Sequence, residues 1–301
     1  MEKKILGVII SLFILSLFSA CSGDLNFRDI RIFRNTEAWE LAKAVDKEDT
    51  GKITRVAARN PAALDLLDPI HGMTLLFWAI GMEKYDSAEA LLKAGADPDI
   101  ISTYEGGTAL YRAAGFSFVS ANKDSKFVEL LLAYGADPNI GFVGNIRNNT
   151  PEIGTTPLMQ SIGVGIEKTK ALVNAGADIN FKTESGRTAA IKALMSAGAG
   201  AVNEMKLYAH YLIADKKACI TNSYFSIFNF LGDNPSEFYP VNLLRSWMPE
   251  LDSEWYLIKM EIVEEFARQG VDYWETEISR RDLERIQRRY PDTWEEYIKW
   301  Y

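Results

Sequence analysis

A chain of 301 residues that is 48% hydrophobic and 25% charged can bury a sizeable core, which excludes wholesale disorder. Its formal net charge is -8, with acidic and basic residues interspersed and no Lys/Arg run, so nucleic-acid binding is not expected. The only cysteines are Cys21 and Cys219 and the only histidines His71 and His210, which excludes a disulfide scaffold and a His/Cys metal site.

Lys3 and Lys4 precede an apolar run from Ile5 to Phe18, followed by Ser19, Ala20 and Cys21. The run is short of the roughly 20 residues that span a bilayer and fits the apolar region of a signal peptide. A cysteine directly after Ser19-Ala20 resembles the lipobox of bacterial lipoproteins, with Phe18 where that family usually has leucine and Leu17 one place early. The resemblance implies cleavage after residue 20, lipidation of Cys21 and a mature charge of 31 minus 40, or -9. With Ser22 after the cysteine, it also implies sorting to an outer membrane, facing the periplasm. A plain secretory signal and an uncleaved anchor remain open. Residues 21–35 read as a linker.

Four segments of the body align with one another. Gly72-Met73-Thr74-Leu75-Leu76-Phe77-Trp78-Ala79 leads to Leu91-Leu92-Lys93-Ala94-Gly95-Ala96-Asp97-Pro98-Asp99. Gly107-Thr108-Ala109-Leu110-Tyr111-Arg112-Ala113 leads to Leu131-Leu132-Ala133-Tyr134-Gly135-Ala136-Asp137-Pro138-Asn139. Thr155-Thr156-Pro157-Leu158-Met159-Gln160-Ser161 leads to Leu172-Val173-Asn174-Ala175-Gly176-Ala177-Asp178-Ile179-Asn180. Gly186-Arg187-Thr188-Ala189-Ala190-Ile191-Lys192 opens a fourth unit that decays towards Asp215. Each unit predicts a helix capped by its threonine, a turn, a second helix ended by its glycine, and an extended loop.

This pattern resembles the ankyrin repeat over residues 36–218. The glycine-to-glycine spacings of 40 and 41 exceed the family period of about 33. The excess falls in Phe116–Ser125 and in the loop Gly141–Ile153. Residues 36–67 read as a degenerate first unit with helices at Glu37–Val45 and Thr50–Ala58. The predicted fold is an all-α ankyrin-repeat solenoid of helix-turn-helix units with hairpin fingers, closed by a helical C-terminal cap or degenerate repeat at 219–301. In that tail Ser253–Gln269 predicts an amphipathic helix with Trp255, Ile258, Ile262 and Phe266 on one face. Gly270-Val271-Asp272 echoes Gly-Ala-Asp, and Ser279/Asp282 and Thr293/Glu296 predict two further helix starts. Five of the seven tryptophans lie from Trp247 onward, so an aromatic partner-binding tail is the alternative to a cap.

No catalytic arrangement stands out. His71 and His210 lack a nucleophile partner, and Cys219 reads as a structural thiol. Ser196-Ala197-Gly198-Ala199-Gly200 lacks the strand and Lys-Ser/Thr ending of a phosphate loop. Glu264-Glu265 and Glu295-Glu296 read as solvated faces. No cofactor, no metal and no enzymatic activity are expected.

What the ankyrin resemblance implies is binding of a protein partner through the finger loops and the concave edge of each first helix. The corresponding positions here are Trp78, Arg112, Gln160 and Lys192, with Tyr104, Glu105, Phe142–Asn149 and Lys182–Glu184 in the fingers. Packing inside the repeats is the alternative for Trp78. The family's usual tetrad histidine is replaced by Phe77, Tyr111, Met159 and Ile191, so inter-repeat contacts are expected to rest on apolar packing. The expected function is an envelope-anchored, monomeric binding module. Three other readings stay open: an immunity-type inhibitor of a periplasm-acting toxic enzyme, a structural spacer, and an enzyme hidden in the last 80 residues.

Overall fold

The computed structural model describes residues 25–103, 105–144, 151–198, 203–225 and 236–301. Cys21 and Tyr104 lie outside the described residues, as do 145–149 of the long finger and 199–200 of the small-residue turn. The fold divides into two compact units, one ending at Ala96 and one spanning Asp97–Tyr301.

The first unit contains a 3-10 turn, Ile30–Phe33, and four helices: α1 (Trp39–Asp46), α2 (Thr50–Arg59), α3 (Leu75–Gly81) and α4 (Tyr85–Lys93). Asp49 starts α2 by accepting the Lys52 N–H at 2.9 Å. Ser87 Oγ and Lys84 Nζ donate to the Val45 and Asp46 carbonyls at 2.7 and 2.6 Å, tying α4 to the end of α1. Part of the expected linker is folded: Ile32 and Phe33 are buried, and Asp29 caps their turn. His71 Nε2 donates to the Leu25 carbonyl at 2.9 Å, a structural role. Beside it the buried Asp68 carboxylate accepts the N–H groups of Ile70, His71 and Met73, which shapes the hairpin before α3.

The second unit continues with α5 (Ala109–Ala114), α6 (Lys126–Ala133), α7 (Pro157–Ser161), α8 (Ile166–Asn174), α9 (Ala189–Ser196) and α10 (Glu204–His210). A wide turn of π geometry, Tyr211–Asp215, carries α10 onward. Across both units the same local chemistry starts the first helix of each of the four aligned repeats, while α1 of the degenerate unit begins after Ala38 without a side-chain cap. Thr74, Thr108, Thr156 and Thr188 each accept the N–H three residues on, from Phe77, Tyr111, Met159 and Ile191. The second helices end alike: Ala96, Ala136 and Ala177 N–H groups reach back to the Leu91, Leu131 and Leu172 carbonyls. The glycine between sits in the left-handed region, at φ +97, +87 and +91.

Adjacent repeats of the second unit are joined by a relay of short side chains along their turns. Asp99 Oδ1 accepts the Asp137 N–H at 3.0 Å, Asn139 Oδ1 the Asp178 N–H at 2.7 Å, and Asn180 Oδ1 the Cys219 N–H at 2.8 Å. These polar links stand beside the apolar inter-repeat packing expected from the sequence. Backbone amides at each turn are otherwise orphaned, and an Asx oxygen one repeat earlier satisfies them. Asp99 does with a charge what Asn139 and Asn180 do with an amide. Partial burial first, then repulsion from Asp97 and Asp137, raises its pKa. Its ionised form is thus disfavoured in the fold, and the cost appears as pH rises through the carboxylate range. Asp99→Asn keeps the acceptor and is expected to stabilise the unit by about 0.5 kcal/mol at pH 7 after solvent screening. Urea unfolding at pH 7 and at pH 3 checks this; a gain that persists at pH 3 would contradict the charge argument.

The tail contains a two-residue antiparallel ladder, β1 (Tyr224–Phe225) with β2 (Glu237–Phe238), a departure from the all-α expectation. Phe225 N–H donates to the Ser185 carbonyl, so β1 extends a finger edge that would otherwise be unpaired. Helices α11 (Pro240–Arg245), α12 (Glu254–Arg268), α13 (Arg280–Arg289) and α14 (Trp294–Trp300) follow. Helix α12 packs on α10: His210 Nε2 meets Glu261 at 2.5 Å, and Gln269 bridges the Ala218 carbonyl and Ile220 N–H. It ends like a repeat helix, with Val271 N–H on the Phe266 carbonyl and Gly270 at φ +84. Its buried residues are Lys259, Ile262, Val263, Glu265 and Phe266, with Trp255 and Ile258 only half-buried, so the predicted face is rotated. Glu265, expected on a solvated face, is buried and paired with Lys217 and Arg268. Ser279 caps α13 as predicted, whereas Thr293 makes no capping bond and Glu296 pairs instead with Lys299 and the Trp300 indole. Among the described residues no helix is long and apolar enough to cross a membrane.

Candidate functional site

The fingers of the second unit are short hairpins of common design. Ser102 N–H bonds the Gly107 carbonyl, Phe142 N–H the Thr155 carbonyl and Thr183 N–H the Arg187 carbonyl, each closing just before the capping threonine. Neighbouring fingers approach closely. Val143 N–H donates to the Gly106 carbonyl at 2.8 Å. Gly106 sits at φ +71, and a Cβ there would come within 2.5 Å of the Gly144 oxygen and 2.6 Å of the Phe142 ring. Only glycine fits that crossing.

Two of the residues expected to contact a partner are core instead. Trp78 is 1% exposed, and the alternative of packing inside its repeat is what the structure shows. Phe142 is also 1% exposed and stacks on Tyr111, with ring centres 6.0 Å apart. The finger folds this ring under itself because Tyr111, standing where the family has its histidine, offers an aromatic face to cover it. Arg112 is largely spent within the fold: its guanidinium pairs with Glu105, donates to the Phe116 carbonyl at 2.9 Å and lies 4.8 Å over the Phe118 ring. Glu105 is correspondingly engaged. Gln160 is half-buried and accepts the Tyr111 hydroxyl at 3.3 Å, which raises no barrier to its remaining amide group reaching a ligand.

Lys192 differs from all of these. It is half-buried, its side chain makes no hydrogen bond or ion pair among the described residues, and it lines a cavity of about 340 Å³. The cavity is built from the third and fourth repeats: Glu152 and Thr155 from one finger, Met159 from α7, Thr183 and Arg187 from the next finger, and Lys192 and Met195 from α9. Burial, and then the Arg187 charge, pushes the Lys192 pKa down to about 8. Arg187 has no carboxylate partner either, and its Nε is buried without a hydrogen bond. Glu152 is turned to the neighbouring finger, where Ser185 N–H and Oγ hold its two oxygens at 2.6 and 2.8 Å. The sequence reading found Lys192 and missed Arg187 and Glu152. The available signal was position: Arg187 is the residue immediately before a capping threonine, where Met73, Gly107 and Thr155 stand in the other repeats.

Residues 76–132 match the family model of ankyrin repeats present in many copies. That segment carries ankyrin repeats. Its capped helix pairs, glycine closures and hairpin fingers are those of an all-α ankyrin architecture, a fold that typically serves as a non-enzymatic scaffold for protein–protein interaction. The chain is also similar to Protein PhlB of Serratia liquefaciens, at 36% identity over 117 residues. That match covers 38% of this chain and 45% of PhlB, so the ankyrin chain spans less than half of its relative's length. Cys219, the remaining thiol, is half-buried, and hydrogen bonding from Thr221 lowers its pKa despite burial. Among the described residues no group of three or more His, Cys, Asp or Glu side chains could hold a metal.

Proposed function

We propose that this ankyrin-repeat protein is a binding module that captures a protein partner with the finger and first-helix edge of its third and fourth repeats. The observation that carries this reading is the cavity lined by Arg187 and Lys192, two cations whose side chains have no acidic partner among the described residues. Buried charges without partners are costly, and a complementary ligand removes that cost. Cys21, read as the lipidated residue after a cleaved signal, tethers the module to a bacterial envelope, with the outer membrane facing the periplasm as its address. The body acts as a monomer and needs no cofactor; residues 36–218 form the repeat domain and 219–301 close its end. An immunity-type inhibitor is this same module with a toxic enzyme as the captured partner.

A second reading gives the tail its own partner, because Leu257, Trp274 and Trp300 are exposed there as large apolar side chains. Photo-crosslinking separates the two. A photoreactive residue is placed at Met195, on the cavity rim, or at Trp300, and the chain is expressed in its native envelope. A discrete adduct from Met195 alone is expected; an adduct from Trp300 alone would move the site to the tail. Cys21→Ser is expected to shift the chain from the membrane to the soluble fraction and to abolish incorporation of labelled palmitate. Unchanged fractionation would overturn the tether.

A further inference from the structure

We propose that the cavity lined by Arg187 and Lys192 is a carboxylate receptor that takes one aspartate or glutamate side chain presented by the protein partner. The inference rests on the binding face proposed above and adds the chemistry of its ligand. Three observations meet at this place. The cavity holds two cationic side chains with no acidic partner among the described residues, since Glu152, the acid on its wall, has both oxygens held by Ser185. The Arg187 Nε is buried and lacks an acceptor, so a donor of fixed geometry is already desolvated and waiting. Among the other lining residues, Met159 and Met195 on the two first helices give an apolar wall that suits the methylene stem of a side-chain carboxylate, beside the hydroxyls of Thr155, Thr183, Thr188 and Ser196.

A planar guanidinium donates two parallel N–H groups, a match to the two oxygens of a carboxylate, while an ammonium adds a point charge without directional demands. The space of about 340 Å³ admits a side chain and excludes an extended polyanion, and the chain's net charge of -8 would repel one. The same site has a built-in pH response. Lys192 is charged below about pH 8, and a bound carboxylate favours that charged form. Binding is therefore strongest at neutral pH and weakens as pH rises beyond the free Lys192 value.

The test uses the full chain and a random twelve-residue peptide library displayed on phage. Selected peptides are expected to share an aspartate or glutamate at one fixed place. Synthetic versions with that residue changed to the amide should bind about tenfold more weakly. The Arg187→Met/Lys192→Met double variant should lose about the same factor and no longer distinguish acid from amide. Neither side chain has a hydrogen-bond or ion-pair partner among the described residues, so the variant is expected to unfold at the native temperature or above it. An independent readout needs no variant: the acidic peptide should slow acylation of the Lys192 amine in the native chain, and its amide version should not. Binders without a shared acid, a library that yields no binder, or acid discrimination retained by the double variant would each overturn the receptor. A Met195 crosslink together with any of these results would leave the binding face standing and remove only the carboxylate.

Discussion

Lys168→Met is expected to destabilise the Asp97–Tyr301 unit by about 3 kcal/mol and to lower its melting temperature by roughly 6–12 °C. Lys168 stands on α8 of the third repeat and is 3% exposed. Its ammonium crosses to the second repeat and donates to the Ala113 and Gly115 carbonyls at 2.8 and 2.9 Å. These carbonyls end α5, a helix of only six residues whose last turn has the negative end of the backbone dipole. A cation is well placed there, and each charge-assisted bond contributes more than a neutral one. Methionine preserves the stem and its packing, so the loss reports what the ammonium contributes, including the two carbonyl hydrogen bonds. Hydrogen exchange at the end of α5 and in residues 115–125 should accelerate with the same substitution. An unchanged melting temperature would mean that water replaces the lysine at both carbonyls.

Lys259→Met is expected to act in the opposite direction, stabilising the same unit by about 2 kcal/mol at pH 7. Lys259 is completely buried on α12, with its Nζ 2.9 Å from the Trp247 carbonyl and 3.8 Å from the centre of the Tyr301 ring. Arg245 is buried beside it over the Tyr273 ring and is held by the Tyr301 and Tyr273 carbonyls. Burial, followed by the charges of Arg245 and Lys206, drives the Lys259 pKa well below its ordinary value, while Asp282 offsets this only in part. One hydrogen bond and the ring contacts do not balance the desolvation of a full charge. The sign of the pH dependence follows. The unfolded chain holds the Lys259 proton to higher pH than the fold does, so stability rises with pH between the folded value and 10.5. Between pH 7 and 9.5, below ordinary tyrosine ionisation, native stability should climb, and the methionine variant should lose a large part of that climb. The remainder belongs to Lys192 and Lys206, whose pKa values burial also lowers, and to Cys219, whose thiol pKa is lowered by hydrogen bonding from Thr221. Urea unfolding across this range measures both effects, and an unaltered slope in the variant would sink the argument.

The sequence by itself determined the features whose causes lie within a few residues. Thr74, Thr108, Thr156, Thr188 and Ser279 cap helices as expected, because an N-cap needs only its own N–H three positions on. Gly95, Gly135, Gly176 and Gly270 close helices for the same local reason, a left-handed residue that costs least without a Cβ. These signals placed the helix pairs and fingers, and hence the ankyrin resemblance.

Burial and pairing were decided only by the tertiary structure. Helical spacing puts Trp78 and Lys192 at equivalent positions, yet one is core and the other lines an open cavity. Arg112 and Lys192 stand at equivalent positions in sequence, but a glutamate and an aromatic ring engage the first, while the side chain of the second has no partner among the described residues. Lys259 occupies the inward face of α12 against the preference of its charge, because aromatic rings and a carbonyl from distant segments surround it. In each case the deciding neighbour is supplied by a different repeat, finger or helix. Periodicity reports the direction a side chain leaves its own helix; the charge, ring or open space that meets it there comes from chain many residues away.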